Sequence, residues 1–267
     1  MKKLLLSLVV LIAGISCTFG QGEINGQDRI FFRNEKTFAV ILNTDGWGLS
    51  YRLGKRIDYL NKKIIDIDFG YLRDSKEVKI SNPVYETPGS FVFGKVNTVF
   101  YLRGGYGHQH EIYKKADLGG VAIRFFYSGG PILAFYKPIY YKILIPLSNG
   151  EFDIQEQKFD IKKLDPTMIY SKASFFKGFD ELKVLPGIFG KAGFNFEYSK
   201  EDKIIHAVEF GAQLNVFPKE IPIMATQKNK ALFFSLFLSY RFGVVIDPTN
   251  KQDSGFNNIF HRRRPQS

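Results

Sequence analysis

The chain is nearly devoid of thiol: its single cysteine is Cys17. A disulfide framework, thiolate metal ligation and thiol nucleophile chemistry are therefore excluded from everything downstream of that position. Histidine is also scarce, with four residues, and tryptophan occurs once. Beyond the first twenty residues no uninterrupted apolar run approaches the roughly 20 positions that a membrane-spanning helix requires. That absence removes helical spans and leaves strands as the remaining way of crossing a bilayer.

The N-terminal stretch has its own logic. Lys2 and Lys3 precede an apolar run over residues 4–15, and Thr18-Phe19-Gly20 sets small residues where a signal peptidase reads them. The run is too short to span a membrane, so the expectation is a signal peptide over 1–20, cleaved after Gly20. The rival is lipidation of Cys17, against which Gly14 stands where a large aliphatic side chain is expected. The formal net charge is +11, lowered by two when Lys2 and Lys3 leave. A basic exported chain can meet lipopolysaccharide phosphates or an acidic partner, or simply carry lysines on solvated loops. No nucleic-acid partner is expected.

The most informative stretch is KALFFSLFLSYRFGVV at 230–245. Read with period two, Leu232, Phe234, Leu236, Leu238, Tyr240 and Phe242 share one face, and Phe233, Ser235, Phe237, Ser239, Arg241 and Gly243 share the other. An apolar face of that length ending in two aromatics is the pattern of a membrane strand with lipid outside and a mostly polar lumen inside. The same alternation recurs upstream. Residues 21–36 are polar and read as a periplasmic lead-in. Strand one is 37–43, turned by Thr44-Asp45-Gly46, a strong hairpin signal. Strand two, 47–56, sends Trp47, Leu49, Tyr51 and Leu53 outward. Strand three, 64–73, does the same with Ile65, Ile67, Phe69 and Tyr71.

Residues 74–96 carry two prolines and read as a loop. Strand four, 97–113, places Phe100, Leu102 and Tyr106 outward. Residues 121–144 read as one bent strand, with a bulge or kink at Gly129-Gly130-Pro131; two shorter strands joined there are the alternative. The excursion over 145–184 balances its charges, and 171–182 (SKASFFKGFDEL) has the spacing of a short amphipathic helix weakened by Gly178. Strands 185–199, 204–217 and 230–245 complete the set, followed by a polar basic tail over 246–267. Eight strands satisfy the even count of single-chain bacterial barrels. Long and short connections alternate, apart from the tight first hairpin, which places both termini on the periplasmic side. The fold class is all-β: a closed antiparallel transmembrane β-barrel over 37–245.

The segments GSFVFGKVN, YSGGPILAFYKPIYY and FFKGFDELKVLPGIFGKAGFNFEYS, with the SYRFG strand end, resemble a family of small outer-membrane β-barrels from Bacteroidota. The resemblance covers most of the mature chain and implies an outer-membrane location; it brings no active-site residues. One departure stands out. Outer-membrane barrels of this kind end on the aromatic of the last strand, whereas Phe242 is followed by a tail reaching Ser267, which suggests a separate task for the tail.

Candidate chemistry lies in the inward charges: Arg52, Arg56, Asp66, Asp68, Arg103, Glu111, Arg124, Lys191, Glu197, Glu209 and Arg241. They line a pore, or they pair with one another in a lumen just wide enough for side chains to fill. The second reading makes the lumen plugged. His108 and His110 share a strand face with His206 at a similar level; that face points outward, where imidazoles suit the headgroup region better than a metal site. An outer-membrane enzyme acting on lipid A or another envelope substrate is the competing class. The outer loops offer Ser90, Ser171, Ser174, Asp165 and Asp180 but no histidine, so a histidine-based hydrolase lacks its base. No catalytic residue and no cofactor is expected. The remaining class is a structural, binding or assembly component. Its candidate contacts are the 145–184 loop and the tail's Arg262, Arg263 and Arg264, whose planar donors suit carboxylates or phosphates. Phe175, Phe176 and Phe179 would form an exposed apolar patch for an envelope protein, or cap the barrel mouth.

Overall fold

The computed structural model describes residues 34–82, 89–115, 119–146, 152–161, 166–199, 203–225 and 228–246. Eight strands close into an antiparallel barrel: β1 (Asn34–Asn43), β2 (Gly46–Arg56), β3 (Asn61–Leu72), β6 (Asn97–Tyr113), β7 (Ala122–Pro138), β11 (Lys183–Glu197), β12 (Ile204–Ile221) and β13 (Lys230–Ile246). Closure comes from β1 pairing with β13, in a register that sets Asn34 opposite Ile246 and Phe38 opposite Phe242. The start of β1 and the end of β13 therefore lie together, at the terminus end of the barrel. The remaining strands decorate the opposite end: β4 (Lys79–Ile80) pairs with β5 (Phe91–Val92), and β8 (Tyr140–Pro146) runs between β9 (Phe152–Lys158) and β10 (Ile169–Lys172). These form a hood.

The faces follow the sequence alternation. Along β13, Leu236 is 55 % exposed and its neighbour Ser235 only 1 %. Leu49, Ile67, Phe210 and Leu238 are exposed in the same way on their strands. A continuous apolar outer wall of this size would be an aggregation surface in water; around a closed sheet with no edges it is the lipid-facing belt of a transmembrane barrel. Aromatic groups gather towards both ends of the belt. Near the hood end, Trp47, Tyr71, Phe100 and Phe135 occupy one row of strand partners. Near the terminus end, His206 stacks between Tyr198 and Tyr240, and His108 packs on Tyr106 and Tyr127.

Several boundaries differ from the sequence expectation, among them the start of β3 at Asn61 and the end of β12 at Ile221. Strand β1 begins at Asn34, so the last residues of the expected lead-in belong to the barrel wall. The segment 121–144 is not one bent strand: β7 stops at Pro138, and Tyr140 begins a strand of the hood sheet. No register shift marks Gly129-Gly130-Pro131, since Arg103 faces Ile132 and Tyr106 faces Gly129 in one register. Gly130 and Pro131 between them make no ladder pair with β6, so the expected irregularity there is an interrupted ladder without a bulge. Glycine is needed there for closeness, since a Cβ on Gly130 would lie 2.1 Å from the Gly104 carbonyl oxygen. The register shift in that pair of strands falls instead between Glu111 and Tyr113. Finally, 171–182 forms no helix. Ser171 and Lys172 end β10 and the rest is a set of turns around Gly178, whose φ of +87° is the left-handed conformation that breaks a helix. The expected signal peptide, Cys17 and the tail beyond Ile246, with Arg262, Arg263 and Arg264, lie outside the described residues.

Candidate functional site: a filled lumen beneath a packed hood

The eleven inward charges named from the sequence meet in the lumen, and they meet as pairs. Glu209 on β12 is the hub of the middle layer. Its Oε1 accepts from Arg52 Nη1 at 2.6 Å, Arg241 Nε at 2.9 Å and Asn195 Nδ2 at 2.9 Å. Its Oε2 accepts from Arg241 Nη2 at 3.1 Å and Ser239 Oγ at 3.2 Å. Arg52 also donates from Nε to Asp66 at 2.6 Å, and Arg241 from Nη1 to Thr37 Oγ1 at 3.0 Å. A carboxylate so surrounded, and wholly buried, is compensated on both oxygens; that is the condition under which a buried ion pair is tolerated.

Towards the hood, Arg103 donates to Asp68 at 3.0 Å and to Gln213 at 2.9 Å, with Lys191 3.5 Å from the same Asp68 oxygen. Towards the terminus end, Arg56 and Arg124 share Glu111 at 3.3 and 3.8 Å, and Arg124 also pairs with Glu197. Three further charges join this layer: Glu35 with Lys62, and Lys115, which donates to Glu197 at 2.8 Å. Glu35 and Lys62 escape the sequence reading because it starts their strands too late. Extending the period-two phase back two residues, from Thr37 and from Ile64, finds both.

The contacts cross the lumen. Between β2 and β12, β6 and β12, or β3 and β11, two strands intervene on either side or more; yet Arg52 reaches Glu209, Arg103 reaches Gln213, and Lys191 reaches Asp68. Only an interior occupied by side chains allows this, as an eight-strand circumference predicts. The filling is not mostly polar, however. Ile41, Ile64, Phe126 and Phe237 form a buried apolar cluster inside, with the Arg52 guanidinium 4.5 Å from the Phe126 ring centre. Nearer the hood, Leu72, Val99, Tyr101, Ile132, Phe189, Phe217 and Phe233 pack into a second one. Phe233 and Phe237 share the inward phase with Ser235 and Ser239, so their direction is legible in the sequence while the apolar share of the filling is not. Apolar residues inside an aqueous channel would be costly; inside a solid core they are its packing.

The hood is a packed unit. One face of the β10–β8–β9 sheet buries Ile139, Tyr141, Ile143, Phe159 and Ile169 together with Phe91. Asn82 locks the crossing by donating to the carbonyls of Thr167 at 2.7 Å and Ile169 at 3.0 Å. Lys158, Glu181 and Tyr140 form a linked surface group. The Lys158 hydrogen bond holds the Glu181 carboxyl below its usual range, and the same bond lifts the Lys158 ammonium. Both stay charged at neutral pH. Strand β9 is an outer edge of the sheet among the described strands, its Asp153, Ile154, Gln155 and Gln157 exposed.

The other sequence candidates do not assemble. Ser90 is exposed in the hood, Ser174 and Asp180 are exposed on the turn that follows β10, Ser171 lies in β10, and Asp165 falls outside the described residues. His108, His110 and His206 all sit on the outer wall; His110 Nδ1 lies 2.8 Å from Asn61 Oδ1, and His206 Nδ1 2.9 Å from the Tyr240 hydroxyl. Among the described residues no three histidines, cysteines or carboxylates are grouped to hold a metal ion.

The chain matches no known protein family and no curated protein sequence. Solved structures with a similar course of the chain include Ail, the attachment invasion locus protein of Yersinia pestis, at 7 % identity and a TM-score of 0.37, covering 80 % of this chain and 99 % of that one. Neisserial surface protein A is similar at 11 % identity and a TM-score of 0.33, covering 80 % and 96 %.

Proposed function

We propose that this protein is a small non-enzymatic outer-membrane barrel that serves as a structural, binding or assembly component of the envelope, its lumen a solid core rather than a pore. The observation that carries this reading is the set of ion pairs and apolar clusters spanning the lumen. Side chains that bond across the lumen support a path closed to solutes, and the hood is then one surface left for contact. Its β9 edge offers backbone donors and acceptors to an extended partner segment. The outer belt meets lipid, and lipopolysaccharide belongs with it if the hood faces outward. Both chain ends then lie on the periplasmic side, where Arg262, Arg263 and Arg264 have access to acidic groups of an envelope partner.

Two measurements test the proposal. Homogeneous protein in planar bilayers should show no steady ion conductance above that of the bare membrane. Reproducible, salt-dependent unitary steps would sink the plugged reading and require an interior that opens. Separately, truncation after Ile246 should leave a heat-modifiable, membrane-inserted barrel that loses partners recovered from native membranes by the full-length chain. Insertion failure would show that the tail serves the barrel itself, and an unchanged partner set would remove the tail from the proposal.

A further inference from the structure

The turn that carries Phe175, Phe176 and Phe179 lies neither in the barrel mouth nor on the free face of the hood. It folds down the outside of the wall. Its anchor is Lys137, which is in phase with the outward Leu133 and Phe135 of β7, yet only 2 % exposed. The Lys137 ammonium donates to the Phe175 carbonyl at 2.5 Å and the Lys177 carbonyl at 2.9 Å. It lies 4.8 Å from the centre of both the Phe175 and the Phe179 ring. A lysine on a lipid-facing wall is thereby compensated by dipoles and ring faces rather than water. Gly178 permits the close fit, since a Cβ there would lie 2.8 Å from the Pro138 carbonyl oxygen.

The outcome is a cluster of three rings with centres 5.6 to 6.4 Å apart. It continues the wall: Phe175 meets Phe100 edge-on at 6.1 Å, and Phe100 in turn packs on Phe69 and Tyr71. Phe100 belongs to the aromatic row of the hood end, next to Tyr71 and Phe135. Such rows mark the level where hydrocarbon meets headgroups. Phe176, at the tip, is 79 % exposed.

We propose that residues 174–182 form an interfacial wedge, with Phe176 and Phe179 inserted into the lipid leaflet at the hood end and Lys137 clipping the turn to the wall. Continuity with the lipid-facing belt identifies lipid, rather than a protein, as what covers these rings. Lys177, whose side chain pairs with Glu156, keeps its charge on the hood side while its stem follows the rings. The wedge would fix the hood at a set height on the membrane, with Glu156 and Lys158 of β9 tied to it through Lys177 and Glu181.

The test uses full-length protein reconstituted in phosphatidylcholine vesicles, with Trp47→Phe removing the one native tryptophan and Phe176→Trp reporting the tip. Acyl chains brominated close to the headgroup should quench most of the emission from the introduced indole. Chains brominated near their ends should quench it several-fold less, and aqueous iodide hardly at all. Strong iodide quenching with no bromine effect would overturn the proposal and leave the rings to a protein partner absent from the vesicles. If Phe176→Trp does not fold, Phe179→Trp gives the same readout with the same two outcomes.

Discussion

Replacing Glu209 by alanine should lower the stability of the inserted barrel by about 3–5 kcal/mol, the cost of removing one partner from a buried ion pair. The asymmetry of its neighbours sets which group suffers. Arg52 keeps Asp66 at 2.6 Å. Arg241 keeps only hydroxyls as hydrogen-bond partners, Thr37 at 3.0 Å and Ser50 at 3.3 Å, and so becomes a buried cation with no carboxylate bonded to it. Adding Arg241→Met to Glu209→Ala should therefore restore part of the loss, a coupling that a double-mutant cycle isolates. Guanidinium unfolding in lipid vesicles, followed by heat modifiability on gels, gives the numbers. A loss under about 1 kcal/mol for Glu209→Ala, the range of an exposed pair, would mean that water reaches the network and that the lumen is not sealed.

The lumen and the hood are unequally legible from sequence. Barrel strands advertise themselves twice, through alternation and through the turn residues between them, and a closed sheet leaves no freedom in pairing once the count is known. Asp45 and Gly46 illustrate the second signal: Gly46, at φ +149°, starts β2, and a Cβ there would lie 1.9 Å from the Tyr71 carbonyl oxygen. The inward charges follow from phase alone. What phase cannot give is pairing across the lumen, since Lys191 finds Asp68 and Arg52 finds Glu209 only through the curvature of the sheet.

The hood defeats the same procedure because its strands are short and its partners distant in sequence. Tyr140–Pro146 alternates no better than the barrel strand before it, and only Ile139, which turns away to join Phe91 and Phe159, marks the change of sheet. The aromatic spacing over 171–182 is that of a helix face, but a ring cluster on a turn places the same residues together, and Gly178 decides in favour of the turn. Lys137 is the sharpest miss. One strand over 121–144 places it well inside the span, and nothing local announces that carbonyls forty residues on will cover it.

Arginine at Leu236 should destabilise the barrel by about 2–4 kcal/mol, whereas arginine at Phe242 should cost about 0–1 kcal/mol beyond its lost packing, because the penalty for a charge on the lipid face falls from midplane to interface. Leu236 lies mid-strand with apolar neighbours Phe234 and Leu238 on its face; Phe242 sits beside His206 and Phe38, where the aromatics of the terminus end gather. The inner face supplies the contrast, and the structure changes what should be expected of it. A polar lumen with spare room would accept arginine at Ser235. Instead Ser235 is 1 % exposed and receives the Gln213 amide at 2.8 Å, while Gln213 is itself held by Arg103. Arginine there adds volume to a filled core and a cation close to another, an overpacking cost of about 1–3 kcal/mol before the charge is counted. The two faces are thus told apart by depth dependence rather than by tolerance. Moving the arginine along the outer face from Leu236 through Leu238 and Tyr240 to Phe242 should trace a falling penalty, and unfolding titrations in vesicles would measure it. A flat profile along those four positions would mean that they do not face lipid, and the assignment of the wall would be wrong.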